Sequence, residues 1–325
     1  MKYCYISGIP ITDKNDSVEH ILPNALGGRL KSKGLLCKDV NSKLGSELDI
    51  ELANYIPLPT ILNIKRDRKK PPAIQAIDEF GKKHIVKSAT EIEMQHQPIE
   101  EKKDEEGRVY FEVPDTQEKH LKKFAKKKYP EKSDEQIEKE THEVQYNEGQ
   151  AHALFFENHF NVISGHLAFR AIAKIATNFY VYQEYDTKYI SKSIEFIRGI
   201  KHDYDNVRYF YSKNIIEIEK EEVSHIIHLI GDPSEKLLYC YIELFNCHNF
   251  LVLLNENYIG PEIKDTYSFD VLKQIELQKE ELVRMKRDDF LKSEHPYPSD
   301  VEEQYTKRLK RVANIGGFTI EEKNF

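Results

Sequence analysis

An acid, Glu19, stands directly before a histidine, His20, and the run continues Ile21-Leu22-Pro23-Asn24-Ala25-Leu26-Gly27-Gly28. Cys37-Lys38-Asp39-Val40-Asn41 follows, with Gly45 one helical turn beyond Asn41. An imidazole titrates near neutral pH and can take a proton from water. Glu19 and Asn41 supply hard oxygen donors of the kind that suit Mg²⁺ or Mn²⁺. A base together with a partly open metal centre is the equipment for hydrolysing a phosphodiester. Arg29, Lys31, Lys33 and Lys43 flank these groups and are candidates for holding a nucleic-acid backbone.

The elements around these residues must place them. Cys4 to Ile11 reads as a short hairpin about Ser7-Gly8, and Val18 to Leu22 as a strand. Gly27-Gly28 allows a tight turn where positive φ is cheap. Leu30 to Leu36 returns as a second strand. From Lys38 a helix is expected, with Val40, Leu44, Leu48 and Leu52 on one stripe, Asp39 as N-cap, and Pro57 and Pro59 ending it. Adjacent strand residues point to opposite faces, so Glu19 and His20 reach one centre only where the strand bends or ends.

The pattern Glu-His-Ile-x-Pro-x-x-x-Gly-Gly, then Cys and Asn at a helix start, then Gly, resembles the ββα-metal motif of HNH endonucleases. The resemblance covers about residues 3–50. It implies that Glu19 and Asn41 are metal ligands, that His20 is the general base, and that the cofactor is a divalent ion, Mg²⁺ or Mn²⁺. It further implies water attack that leaves a 5′-phosphate and a 3′-hydroxyl, in DNA and sometimes in RNA. Two positions depart from the family. Similar members hold a structural zinc with two C-x-x-C pairs, whereas here Cys4 pairs with Ser7 and Cys37 with Val40. Two thiolates do not make the closed four-ligand set that structural zinc prefers, so Zn²⁺ is not expected, and Cys4 and Cys37 are read as small core residues. Ser32 or Lys33 stands near the position where many members carry Asn.

Composition bounds the rest. The chain has 325 residues, 39% hydrophobic and 32% charged, with a net charge of −7. Basic residues outnumber acidic ones over residues 1–72, so the body that follows is more acidic than the total. Screening confines each field to about 8–10 Å, and a basic module on an acidic body can still meet phosphates. No apolar run is long enough for a membrane span, no secretory signal is visible, and four cysteines make no disulfide framework; a cytoplasmic protein without a membrane partner is expected.

The expected fold class is α+β in three parts. Residues 1–72 form a small ββα-metal domain with a basic linker, Lys65 to Lys70; residues 73–150 a strand-rich, charged insert; and residues 151–325 a mixed α+β domain for recognition, oligomerisation or regulation. In the insert, hairpins are expected over Asp78–Lys83 and Gly107–Val113, and a solvated helix pair or partial disorder over Thr116–Glu143. Gly165 to Tyr182 reads as an amphipathic helix with Phe169, Ile172, Ala173, Ala176 and Phe179 on one face, and Arg170 and Lys174 as solvated flanks. Ile242 to Leu254 reads as one buried strand, Tyr267 to Lys292 as a long charged helix, and Cys240 and Cys247 as core. His142, His152, His159 and His166 are too irregularly spaced for a second metal site. The function expected is therefore metal-dependent cleavage of nucleic acid, DNA first, in restriction or phage defence, with a homo-oligomer through the C-terminal domain. The alternatives are an HNH-fold binding module that has lost catalysis, and a scaffold acting through its C-terminal half.

Overall fold

The computed structural model describes residues 2–67, 70–78, 81–95, 99–107, 109–113, 120–140, 154–156, 162–200, 206–292 and 300–320. The fold is α+β, and the chain divides into two units. One unit comprises residues 1–74, 86–91 and 158–325, so the N-terminal segment and the C-terminal part share it; the other comprises residues 75–85 and 92–157.

The N-terminal segment has β1 (Glu19–His20) paired antiparallel with β2 (Lys31–Ser32), then α1 (Lys38–Leu44). Before them Cys4–Ile9 closes a tight turn at Gly8, and Tyr3 bridges Pro10, as the hairpin expectation requires. Both strands are shorter than the sequence suggested: the register covers Glu19 opposite Ser32 and His20 opposite Lys31. Cys37, not Asp39, is the N-cap of α1, and Asp39 lies in its first turn. The helix does not run through as one α-helix. It widens into a π turn, Gly45–Asp49, before α2 (Ile50–Tyr55) and the short α3 (Leu58–Ile61). Of the expected stripe, Leu44, Leu48 and Leu52 are buried and Val40 is half-buried.

A four-stranded sheet, most of whose residues belong to the second unit, is made of β3 (Ile74–Asp78), β4 (Lys83–Ser88), β5 (Glu91–Met94) and β8 (Leu154–Phe155) in the order β5-β4-β3-β8. Between β5 and β8 in sequence lie a separate hairpin, β6 (Glu100–Lys103) with β7 (Val109–Glu112), and two helices, α4 (Leu121–Lys128) and α5 (Asp134–Glu140). His142, His152 and His159 lie outside the described residues.

The core of the first unit is a six-stranded antiparallel sheet. After α6 (His166–Tyr182) and α7 (Ser191–Ile197) come β9 (Val207–Tyr209), β10 (Ser224–Asp232), β11 (Leu237–Leu244), β12 (His248–Asn255), β13 (Ile263–Asp270) and β14 (Ile275–Glu276), in the order β14-β13-β10-β11-β12-β9. Ile227, Leu229, Leu238, Cys240 and Ile242 join the α6 side of the core. Ile226, Ile230, Leu237, Tyr239 and Tyr241 pack on the other face with Met285 and Phe290. Strands buried on both faces read as continuous apolar runs. For that reason Ile242 to Leu254 looked like one strand; it is the end of β11 and most of β12. The chain reverses at Phe245 (φ 57°) and Asn246 (φ 52°), without a glycine to mark the turn.

Tyr267 to Lys292 is not a long helix. It holds the end of β13, the short β14, extended chain and α8 (Arg287–Lys292). Asp270 Oδ1 accepts the N–H groups of Leu272 (2.9 Å) and Lys273 (2.8 Å), and Gln274 follows at φ 59°. A side chain that captures the backbone in this way offers a turn in place of helix. The chain then ends its described part with α9 (Val301–Ile315), whose Tyr305, Leu309 and Val312 are buried. Cys240 and Cys247 are core thiols, pushed far up by burial. No helix among the described residues is long and apolar enough to cross a membrane.

His225 ties this sheet to the N-terminal turn. Its Nε2–H donates to the Leu26 carbonyl (2.8 Å) and its Nδ1 accepts from the Phe245 N–H (3.3 Å). Both nitrogens are therefore used in the neutral form, and burial pushes the imidazole down to about 4 from 6.5. Between those values the unfolded chain binds the extra proton, so stability is full above pH 6.5 and falls as pH drops toward 4. This group alone is expected to cost about 1.4 kcal/mol per pH unit across that window. Urea denaturation at pH 7, 6 and 5 measures it; a flat profile would show that His225 is not buried neutral.

Candidate active site

The double glycine is fixed by close approach. Gly27 has φ +86°, and a Cβ there would lie 2.6 Å from Ile64 Cγ2. A Cβ on Gly28 would come within 1.9 Å of the Leu22 carbonyl oxygen, a backbone atom that cannot step aside. This packing brings the chain around Ile64 to Asp67 against the β1–β2 hairpin.

His20 sits at the hairpin rim with its side chain 21% exposed, and its Nε2 lies 3.1 Å from Asp67 Oδ2. Lys31, paired with His20 across the hairpin, places Nζ 2.9 Å from the same oxygen. Arg29 donates through Nη1 to Asp67 Oδ1 and through Nη2 to the Lys65 carbonyl (3.0 Å), while its Nε donates to Gln274 Oε1 (3.2 Å). The Asp67 N–H donates to Asn24 Oδ1 at 3.0 Å. Hydrogen bonds from Lys31 first, then His20, with a lesser one from Arg29, hold the Asp67 carboxyl far below the usual carboxylate range against the opposing effect of burial. Lys33 and Lys43 are exposed and do not join this cluster. Asn63, Ile64, Lys65, Arg66, Lys70 and Pro71 line a cleft.

Glu19 faces the other way. Its carboxylate is 3% exposed and meets Lys174 Nζ at 2.6 Å and Asn178 Nδ2 at 2.8 Å, both from α6. Lys174 also donates to both oxygens of Asp49, at 2.9 and 3.1 Å. One turn earlier Arg170 Nη1 donates to Glu47 Oε1 at 2.7 Å, while its Nη2 and Nε donate to the Ile197 carbonyl at 2.7 and 3.1 Å. The π turn presents Glu47 and Asp49 to this helix, and π turns gather at functional or strained places in helices. Arg170 and Lys174 are thus buried ion-pair partners, which corrects their reading as solvated flanks.

Asn41 donates its Nδ2 to Ser17 Oγ (3.1 Å) and to the Val18 carbonyl (3.3 Å), bracing the entry to β1. The hairpin therefore separates the expected set. Glu19 is turned to α6, His20 to Asp67, and Asn41 to the backbone before the strand, as the alternation of a strand dictates when it does not bend. Among the described residues no three of His, Cys, Asp and Glu are grouped to hold a metal ion. Cys4 and Cys37 are buried with Ser7 between them, Ser7 Oγ lying 3.8 Å from Cys37 Sγ. Burial pushes the Cys4 thiol up, but hydrogen bonds from Ser7 and from the N–H groups of Cys37, Ser7 and Ile6 bring it below its ordinary value.

The sequence singled out neither Asp67 nor Asn178, and marked Lys174 only as a solvated flank. Asp67 was hidden in a basic tract, and the only advance sign of the α6 partners was a cation pair four residues apart. Residues 4–56 match the family model described as HNH endonuclease. No curated protein and no solved structure matches the chain.

Proposed function

Because residues 4–56 match the HNH endonuclease family, we infer that this chain hydrolyses phosphodiester bonds in nucleic acid, with DNA as the substrate. The observation that supports this most is an imidazole at the hairpin rim beside two cations, Arg29 and Lys31, that converge on one anion. In this reading His20 takes the proton from the attacking water. Lys31 faces the scissile phosphate, where charge grows in the transition state, and Arg29 adds its charge from its place against Asp67. Lys33, Lys43 and the Lys65–Arg66–Lys70 cleft extend the positive track along the backbone.

HNH nucleases generally use a divalent ion. Glu19 and Asn41, the residues expected to hold it, do not fit that task in this arrangement. An ammonium group already lies against the Glu19 carboxylate, and the Asn41 amide is spent on Ser17 and Val18. Mg²⁺ and Mn²⁺ are the ions to test. The free cysteines suit a cytoplasmic setting, and the large α+β body suits a nuclease held under control, as restriction or phage defence demands.

The test is incubation of the protein with plasmid and with RNA under Mg²⁺, Mn²⁺ or EDTA, with the His20→Ala protein as background. Cleavage above that background supports the reading. The Glu19–Lys174 pair favours one other reading, a nucleic-acid-binding HNH fold without catalysis. It predicts salt-sensitive binding that is indifferent to EDTA, with no cleavage in any arm.

A further inference from the structure

We propose that Asp67 is the positioning residue for His20, a carboxylate supplied from outside the HNH segment that fixes the imidazole with its proton on Nε2 and leaves Nδ1 as the basic nitrogen. The inference rests on the nuclease reading and names a residue that the family match, ending at residue 56, does not include.

Three observations carry it. First, the acid next to His20 in sequence is unavailable, because Glu19 is turned into the core against Lys174 and Asn178. Asp67 is the carboxylate that does reach the ring, 3.1 Å from Nε2. An ionised carboxylate accepts only, so the shared proton belongs to Nε2. Nδ1 has no hydrogen-bond partner among the described residues.

Second, Asp67 is built into the site. Its N–H is held by Asn24 of the Pro-Asn-Ala-Leu-Gly-Gly turn, and its carboxylate by Arg29 and Lys31. Arg29 also clasps the Lys65 carbonyl two residues earlier. Gly27 allows Ile64 to pack close enough for this segment to reach the hairpin. A group fixed at this many points can orient another, since a base must be held within hydrogen-bond geometry to work.

Third, the charges leave room for a substrate. Arg29 and Lys31 bring two positive charges and Asp67 one negative, so these three side chains leave a net positive charge. Lys31 is 50% exposed and can turn to a phosphate while Arg29 keeps Asp67 in place. A carboxylate that filled the phosphate position itself would instead act as a block, and the two roles give opposite results.

The experiment compares wild type with Asp67→Ala, Asp67→Asn and Asp67→Glu. Steady-state cleavage of plasmid is measured beside ¹⁵N spectra of histidine-labelled protein, with the His20 ring signal assigned by its absence from His20→Gln. Asp67→Ala is expected to lower kcat about 10²-fold with KM changed less than about threefold. Asp67→Glu restores part of that loss, and the His20 ring moves from the Nε2–H form to a mixture in Asp67→Ala. Asp67→Asn keeps the side-chain shape and gives the same reading if the alanine protein does not fold. Faster cleavage or tighter DNA binding in Asp67→Ala would overturn the proposal in favour of a blocking carboxylate. Unchanged kcat together with an unchanged ring spectrum would reduce Asp67 to a linker residue. The ring spectrum needs no substrate, so wild-type protein that cleaves nothing would defeat the nuclease reading while the Asp67–His20 contact is still decided.

Discussion

Lys174→Met should destabilise the protein by about 3–5 kcal/mol, the range for removing one member of a buried ion pair and leaving its partner behind. The Lys174 side chain is 1% exposed and lies between Glu19 and Asp49. Burial alone would push its ammonium down; Asp49 and Glu19 together outweigh that and hold it above the usual lysine range. For Glu19 the balance is reversed, burial pushing the carboxyl up against the pull of Lys174. The state that satisfies both groups is a charged lysine bridging the π turn and β1. Methionine fills a similar volume without the charge, and leaves two carboxylates facing each other beneath α6. Glu19→Gln should be much milder, because Asn178 and Asp49 keep their partners and the amide oxygen can still accept from Lys174. Urea midpoints of the two variants and the double variant measure the coupling. A Lys174→Met loss below about 1 kcal/mol would mean that the lysine is solvated and α6 does not dock on β1 as described.

This ion pair also marks where the sequence stopped being legible. The types and spacing of Glu19, His20, Pro23, Gly27, Gly28 and Asn41 identified the segment, because each glycine answers a local steric demand that any fold of the motif must meet. The ββα order and the buried Leu44-Leu48-Leu52 stripe followed from local periodicity. What could not be read is tertiary. A strand of two residues carries too little pattern to say which neighbour faces inward, and the answer came from a lysine 155 residues away, at position 174. Lys174 itself looked like a surface charge, since a buried lysine differs from a solvated one only in its partners. Asp67 was masked by the lysines and arginines around it for the same reason. In the second half the errors arose at β11–β12 and β13–β14. There the turns are made by Phe245, Asn246 and the side chain of Asp270, and not by the glycines and prolines that punctuate loops.

His20→Ala should lower cleavage by about 10²–10⁴-fold, the usual contribution of a general base, while the protein stays folded and still binds nucleic acid. The imidazole is partly exposed, and its one hydrogen bond among the described residues is to Asp67. Removing it leaves Asp67 held by Arg29, Lys31 and Asn24, so the 65–67 segment keeps its position. Stability should therefore move by less than about 1 kcal/mol. Binding should keep its salt dependence, because Arg29, Lys31, Lys33 and Lys43 are untouched. The contrast with Lys174→Met is the informative part. One variant loses chemistry and keeps the fold; the other loses stability through a residue that touches no substrate. Plasmid nicking, thermal melting and fluorescence anisotropy on the same two proteins separate these effects. Wild-type cleavage rates from the His20→Ala protein would move the base elsewhere, and a matching loss of melting temperature would show that the imidazole holds the hairpin together instead of serving the reaction.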